Sequence, residues 1–324
     1  PGGYGCRWEN SAAGAGFSYI AITGSQGDDQ IVVRGNGRSA KPAEIWGKVE
    51  FGPGNDSLSV ESTGSLSAYG DLDFGSGDDR LVNYGAIALP SGSNVGSKLL
   101  QSGSILMGDG NDVVITNSNI SGAGYIDGGS KSGDVDEVVF GSTGDVINEF
   151  KVNKIRNFER ASQRSGSWDY DGDYAAAGIG TMTIEGGIMR LTDSGTSIFQ
   201  DVVMTGGVIF ADISDKDSAP LKARSFVYTP TEGKDPGQLV IQAGSTTDPE
   251  GTYLILDVPE TSQSEMNELA ANATLNYDGE VGEFSGLGDA NGIQGTANFE
   301  VYLVEGSLNV QVDVKPASEI IDGL

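Results

Sequence analysis

Short runs of two to four mostly apolar residues recur along most of this chain, set among glycine, serine and acidic residues. Ile31-Val32-Val33, Leu58-Ser59-Val60, Leu81-Val82 and Val113-Val114-Ile115 are of this kind, as is Ser65-Leu66-Ser67-Ala68-Tyr69-Gly70. Such β-branched and apolar runs, bounded by turn formers, predict strands too short to make a stable sheet alone. No amphipathic helical period appears in the first 210 residues. Beyond Asp212 the texture changes: prolines appear at 220, 230, 236, 249 and 259, and longer strands are predicted, as at Gly251-Thr252-Tyr253-Leu254-Ile255-Leu256-Asp257-Val258. A helix is predicted from about Ser262 to Asn272, with Ser262 or Ser264 as its cap and Met266, Leu269 and Ala270 at helical spacing. Tyr277-Asp278-Gly279-Glu280 reads as a hairpin turn, and Phe299 to Val304 and Ser307 to Val312 alternate apolar and polar residues.

The short runs recur with their turns. Gly27-Asp28-Asp29, Gly54-Asn55-Asp56, Gly77-Asp78-Asp79 and Gly110-Asn111-Asp112 each precede an apolar run, and their starts lie 27, 23 and 33 residues apart. A looser fifth copy ends at Glu137, with Asp136 before it and Val138-Val139-Phe140 after it. A second repeat pairs Thr181 to Met189 with Asp201 to Ile209, and their Gly-Gly pairs (186–187 and 206–207) stand 20 residues apart. Brief strands repeated about every 25 residues bury their inward side chains best by stacking rung on rung. The expected fold is therefore all-β: a parallel β-helix over residues 1–212, and a β-rich capping region with a short helix over 213–324.

Several stretches together resemble the passenger region of bacterial autotransporters: the Gly108-Asp109-Gly110-Asn111-Asp112 turn, Asn157-Phe158-Glu159 followed by Trp168, the paired Gly-Gly rungs, and the Gly251 to Leu256 strand. The resemblance spans about residues 50–314. It implies a right-handed parallel β-helix of the pertactin-like kind, with a C-terminal part similar to the module that assists folding during outer-membrane export.

Charge narrows the function. Lys and Arg total 19 against 46 Asp and Glu, a formal charge of −27, which repels nucleic acid and anionic membrane faces and attracts cations. No stretch approaches the roughly 20 apolar residues of a spanning helix, so no membrane insertion of this segment is expected. Neither Met nor an apolar leader opens the sequence at Pro1, and a targeting segment is expected to have been removed already. Cys6 is the sole cysteine, so internal disulfides and cysteine-based metal clusters are excluded, and it reads as a packing residue rather than an intermolecular bridge.

The acidic turns invite a cation. Gly52-Pro53-Gly54-Asn55-Asp56-Ser57-Leu58, Gly75 to Leu81 and Gly108 to Val114 match the calcium-binding nonapeptide, Gly-x-Gly-x-Asp-x-apolar, although that motif runs in tandem and these copies stand singly. If the rungs stack in register, Asp29, Asp56, Asp79 and Asp112 form a ladder of carboxylates able to take calcium. The competing expectation is solvated turn residues bonded to nearby backbone. Asp169, Asp171 and Asp173 begin like an EF-hand loop, but Tyr174 stands where glycine is required and Gly180 where glutamate is required, so they read as outward strand and turn residues.

Histidine is absent, which excludes Ser-His-Asp and Cys-His catalysis and the HExxH zinc site. A carboxylate pair acting on polysaccharide needs no histidine, but the few tryptophans and thinly spread basic residues argue against it. The expectation is a secreted, non-enzymatic protein of the bacterial cell surface. It would act as an adhesin for a host-cell or glycan receptor, or self-associate head to tail or laterally into a filament, sheath or surface layer.

Overall fold

The computed structural model describes residues 20–35, 43–89, 94–95, 98–99, 103–117, 120–142, 147–191, 196–213, 220–231, 233, 236–243, 252–277, 280–283, 297–304 and 307–314. Cys6 and Pro1 lie outside them. The chain divides into two compact units, residues 1–142 with 151–161, and residues 143–150 with 162–324.

The first unit is a parallel β-solenoid. One sheet stacks Ile20–Thr23, Lys48–Pro53, Leu72–Ser76, Ile105–Leu106, Ile126–Asp127 and Ile155–Arg156. A second stacks Gln30–Val33, Ser57–Val60, Arg80–Asn83, Val113–Thr116 and Glu137–Phe140, and a third Ala43–Ile45, Ser65–Ala68, Ala86–Leu89 and Ile120–Gly122. In-register pairing makes columns of like residues: Leu58, Leu81, Val114 and Val138 in the second sheet, and Val49, Leu72, Ile105, Ile126 and Ile155 in the first. All nine side chains are buried, each worth roughly 2 kcal/mol in burial relative to exposure. Phe51 stacks on Phe74 with ring centroids 4.5 Å apart. The 33-residue spacing between the third and fourth acidic turns is a rung with an insertion, which holds a small antiparallel pair, Asn94–Val95 with Lys98–Leu99.

The second unit is also built of parallel rungs. Thr181–Ile184 pairs residue for residue with Asp201–Met204, and Ile188–Leu191 with Val208 to Ala211, so the two Gly-Gly rungs superimpose as their sequence similarity predicts. Parallel pairing continues through Leu221–Tyr228 and Gln238–Ala243 to Ala273–Tyr277. Antiparallel partners close the unit: Glu280–Glu283 on Ala273–Tyr277, and Ser307–Val314 on both Thr252–Asp257 and Ala297–Val304. Tyr277 pairs Glu280, as the predicted hairpin turn requires; Asp278 and Gly279 lie outside the described residues. The helix Gln263–Ala271 starts at a capping box, Ser262 accepting from the Glu265 backbone N–H and Glu265 reaching back, and buries Met266, Leu269 and Ala270.

Candidate functional site

Each acidic turn hands the chain from the first sheet to the second, so register places the turn residues above one another. Asp29, Asp56, Asp79 and Asp112 do form a ladder. The Asp29 backbone N–H donates to Asp56 Oδ1 at 2.7 Å, Asp56 N–H to Asp79 Oδ1 at 2.7 Å, and Asp79 N–H to Asp112 Oδ1 at 2.7 Å. The ladder runs two steps beyond those four residues: Asp112 N–H donates to Asp136 Oδ1 at 2.8 Å, and Asp136 N–H to Glu159 Oε2 at 2.8 Å. In every step a side chain reaches back to the preceding rung.

The residues just before them make a second ladder of opposite sense. Asn55 N–H donates to Asp28 Oδ1 at 2.8 Å, Asp78 N–H to Asn55 Oδ1, Asn111 N–H to Asp78 Oδ1 and Val135 N–H to Asn111 Oδ1, each of the last three at 2.9 Å. The turn thereby finds partners for backbone donors between the two strands it joins. This explains why both positions are Asp or Asn: a short side chain with an acceptor oxygen spans one rung.

The inner column is not solvated. Asp56, Asp79, Asp112 and Asp136 are at most 3% exposed, which corrects the expectation that these carboxylates lie outside the core. The cause is the column itself, since each side chain is covered by the turns above and below. The Oδ2 atoms of Asp56, Asp79 and Asp112 are buried without a hydrogen-bond partner. Burial raises the Asp56 carboxyl above its ordinary value and pushes Asp79 up to about 6, against the lowering effect of the accepted N–H bond and with help from neighbouring carboxylates. Asp112 and Asp136 are pushed up to about 7 for the same reasons, burial first. Oδ1 is engaged as an acceptor, which leaves Oδ2 as the oxygen that a proton would take.

Two sequence readings shift. The fifth turn is aligned by Asp136, not by Glu137, which begins the next strand opposite Val113. Glu159, the acid of Asn157-Phe158-Glu159, closes the ladder; its signal in the sequence is an acid set directly before a strand, 23 residues after Asp136. Asn157 holds a left-handed backbone at φ 56° and donates to Asp127. In the second unit Asp169 pairs with Arg190 at 3.1 Å, and Asp173 accepts the Ala176 backbone N–H, so these two serve as strand and turn residues.

Among the described residues no three acidic groups converge as a metal cluster would. A crevice of about 270 Å³ lined by Asp73, Asp109 and Asp127 lies along the first sheet, and each of these carboxylates has a cationic partner, Lys48, Lys131 and Arg156 respectively. The arrangement stitches rungs together with polar side chains. No protein-family model, no curated protein and no solved structure matches the chain.

Proposed function

We propose that this chain is a non-enzymatic structural protein of the bacterial cell surface, a passenger-like β-helix that works in attachment or by self-association into a filament, sheath or surface layer. The observation that carries this reading is the double ladder. The first unit spends its most regular polar residues on holding rungs in register, and the inner aspartates are closed off from any solvent-borne substrate. A surface of formal charge −27 keeps such a column dispersed until a partner or cation screens it. Electron microscopy of the purified protein separates the two forms of the proposal. Strings or sheets of stacked particles are expected for a self-assembling subunit, whereas dispersed single particles leave the adhesin reading. Turnover of any polysaccharide in a substrate panel overturns both.

A calcium-dependent adhesin is the second reading, favoured by three stacked, unpartnered Oδ2 atoms in the same column. An ion bound only by the folded state at a hundred times its Kd adds about 2.7 kcal/mol of stability. Melting at neutral pH in EDTA and in millimolar calcium is the test. A rise of several degrees with calcium supports the reading, and coincident transitions sink it.

A further inference from the structure

Two aromatic rings meet at a corner of the first unit, where the third sheet hands the chain back to the first. Trp46 and Tyr69 directly follow Ala43–Ile45 and Ser65–Ala68, which pair in register, and the Tyr69 backbone N–H donates to Ile45 O at 2.9 Å. Glycine follows each ring: Gly47 holds φ 119°, and a Cβ added to Gly70 would stand 2.4 Å from the Gly47 carbonyl. The two turns are therefore pressed together, and the rings ahead of them stack with centroids 4.2 Å apart and planes 13° from parallel. Tyr69 is half-buried, whereas Trp46 stays 41% exposed, although an indole is among the largest apolar groups a chain can bury. Glu44, two residues back and so on the same outward face of its strand, accepts the indole N–H at 3.2 Å. An exposed ring thus carries a carboxylate fixed at its edge.

Elsewhere the chain completes the same combination with an arginine of its own. Arg156 lies 3.7 Å from the centre of the Tyr125 ring while its Nε donates to Asp127 Oδ2 at 2.7 Å, and Tyr125 and Asp127 are again two residues apart. Arg190 lies 4.9 Å from the centre of the Phe210 ring while its Nε donates to Asp169 Oδ1 at 3.1 Å. Among the described residues no such cation lies on Trp46. Lys48, two positions on, is held by Glu50 at 3.1 Å and Asp73 at 2.8 Å. We propose that the corner of Trp46 and Glu44 receives an arginine side chain from a partner protein. Its guanidinium lies on the indole face turned away from Tyr69 and donates to the Glu44 carboxylate, as Arg156 does between Tyr125 and Asp127. Ring and carboxylate both attract a planar, weakly hydrated cation. The formal charge of −27 draws a basic segment towards the surface that carries them. This proposal rests on the attachment reading, whose own failure shows as filaments in the microscope rather than in a binding curve.

Titrating the full chain into a fluorescently labelled hexa-arginine peptide at physiological salt, with anisotropy as the readout, tests it. Trp46→Ala and Glu44→Gln are each expected to weaken binding about five-fold. Glu44→Gln leaves the ring stack in place, so it reports even if Trp46→Ala loosens the corner. Glu185→Gln, in the second unit, removes the same unit charge and is expected to leave binding within about two-fold of the parent, because a peptide that reads only net charge senses every acid alike. Equal losses from Glu44→Gln and Glu185→Gln, or a Trp46→Ala variant that binds as the parent does, overturn the proposal. So does a neutral oligosaccharide whose binding Trp46→Ala abolishes while the peptide is indifferent to the change, which assigns the corner to a sugar.

Discussion

Raising the pH from 5 to 8 will lower the melting temperature of the first unit by about 10 °C, and replacing Asp112 by Asn will remove much of that fall. The ordinary carboxyl value is 3.8, while the folded Asp112 and Asp136 hold their protons to about 7 and Asp79 to about 6. Between these values the folded unit binds protons that the unfolded chain has released. The stability these groups contribute is complete below about pH 4 and is lost as pH rises through 6 and 7, each group changing it by about 1.4 kcal/mol per pH unit while only the folded form is protonated. For Asp112 alone the difference is on the order of 4 kcal/mol by pH 8. The carboxylates that oppose its ionisation are Asp136, Asp79 and Asp78. Asn at 112 keeps the oxygen that accepts the Asp79 N–H and carries no charge at any pH.

Thermal melts at pH 5, 6.5 and 8 in EDTA, on both proteins, are the measurement. The general repulsion of an acidic chain acts nearly equally on both, so the difference between them isolates the column. At pH 8 the variant should match or exceed the parent. A variant much weaker than the parent at pH 8 and unaffected by pH would mean that the column needs its anion. The second unit supplies a contrast of sign: burial raises Asp201, but the Ser225 hydroxyl and the Arg224 guanidinium outweigh it and hold the carboxyl below its ordinary value. Asp201 therefore favours the folded state at neutral pH and loses that contribution on acidification.

The rungs were legible because their signal is local. A short apolar run opened by Gly-Asn-Asp names its turn and its strand at once, and equal turns must stack if the strands between them do. The Gly-Gly rungs were legible for the same reason, and the helix because Ser262 and Glu265 carry a capping box ahead of buried Met266 and Leu269. Burial of the aspartates was not legible. An acidic residue beside glycine reads as exposed, and nothing within one turn reports that its partner N–H lies 23 or 33 residues away on the preceding rung. The slip at Asp136 has a similar origin. The segment Gly128 to Val135 lacks the Gly-x-Gly spacing that anchors the earlier copies, so acidity alone does not distinguish Asp136 from Glu137. The insertion carrying Asn94–Val95 and Lys98–Leu99 was visible only as a longer interval.

Gly110→Ala is the point change expected to damage the first unit most. In the repeated Gly-x-Gly-x-Asp turn the second glycine has φ 138° at Gly54 and Gly77 and 144° at Gly110, a conformation open to glycine and costly to a residue with a Cβ. Space is the larger obstacle. A Cβ on Gly110 would stand 1.8 Å from the Gly77 carbonyl oxygen and 2.6 Å from its carbon, so backbone and not a pliable side chain would have to move. That backbone is held: Gly77 N–H donates to Asp109 O at 2.8 Å, and Gly110 N–H to Asp134 Oδ2 at 2.9 Å. Relief would pull two rungs apart just where Asp79 N–H meets Asp112 Oδ1, so the loss should exceed about 4 kcal/mol, beyond the usual range for a single substitution. Gly133→Ala is the control for strain without collision. Its φ is 102° with no atom within 4 Å of the added carbon, and it should cost only about 1 kcal/mol. Urea midpoints of the two variants decide the matter: equal losses would mean that the close stacking of turns, on which the ladder depends, does not exist.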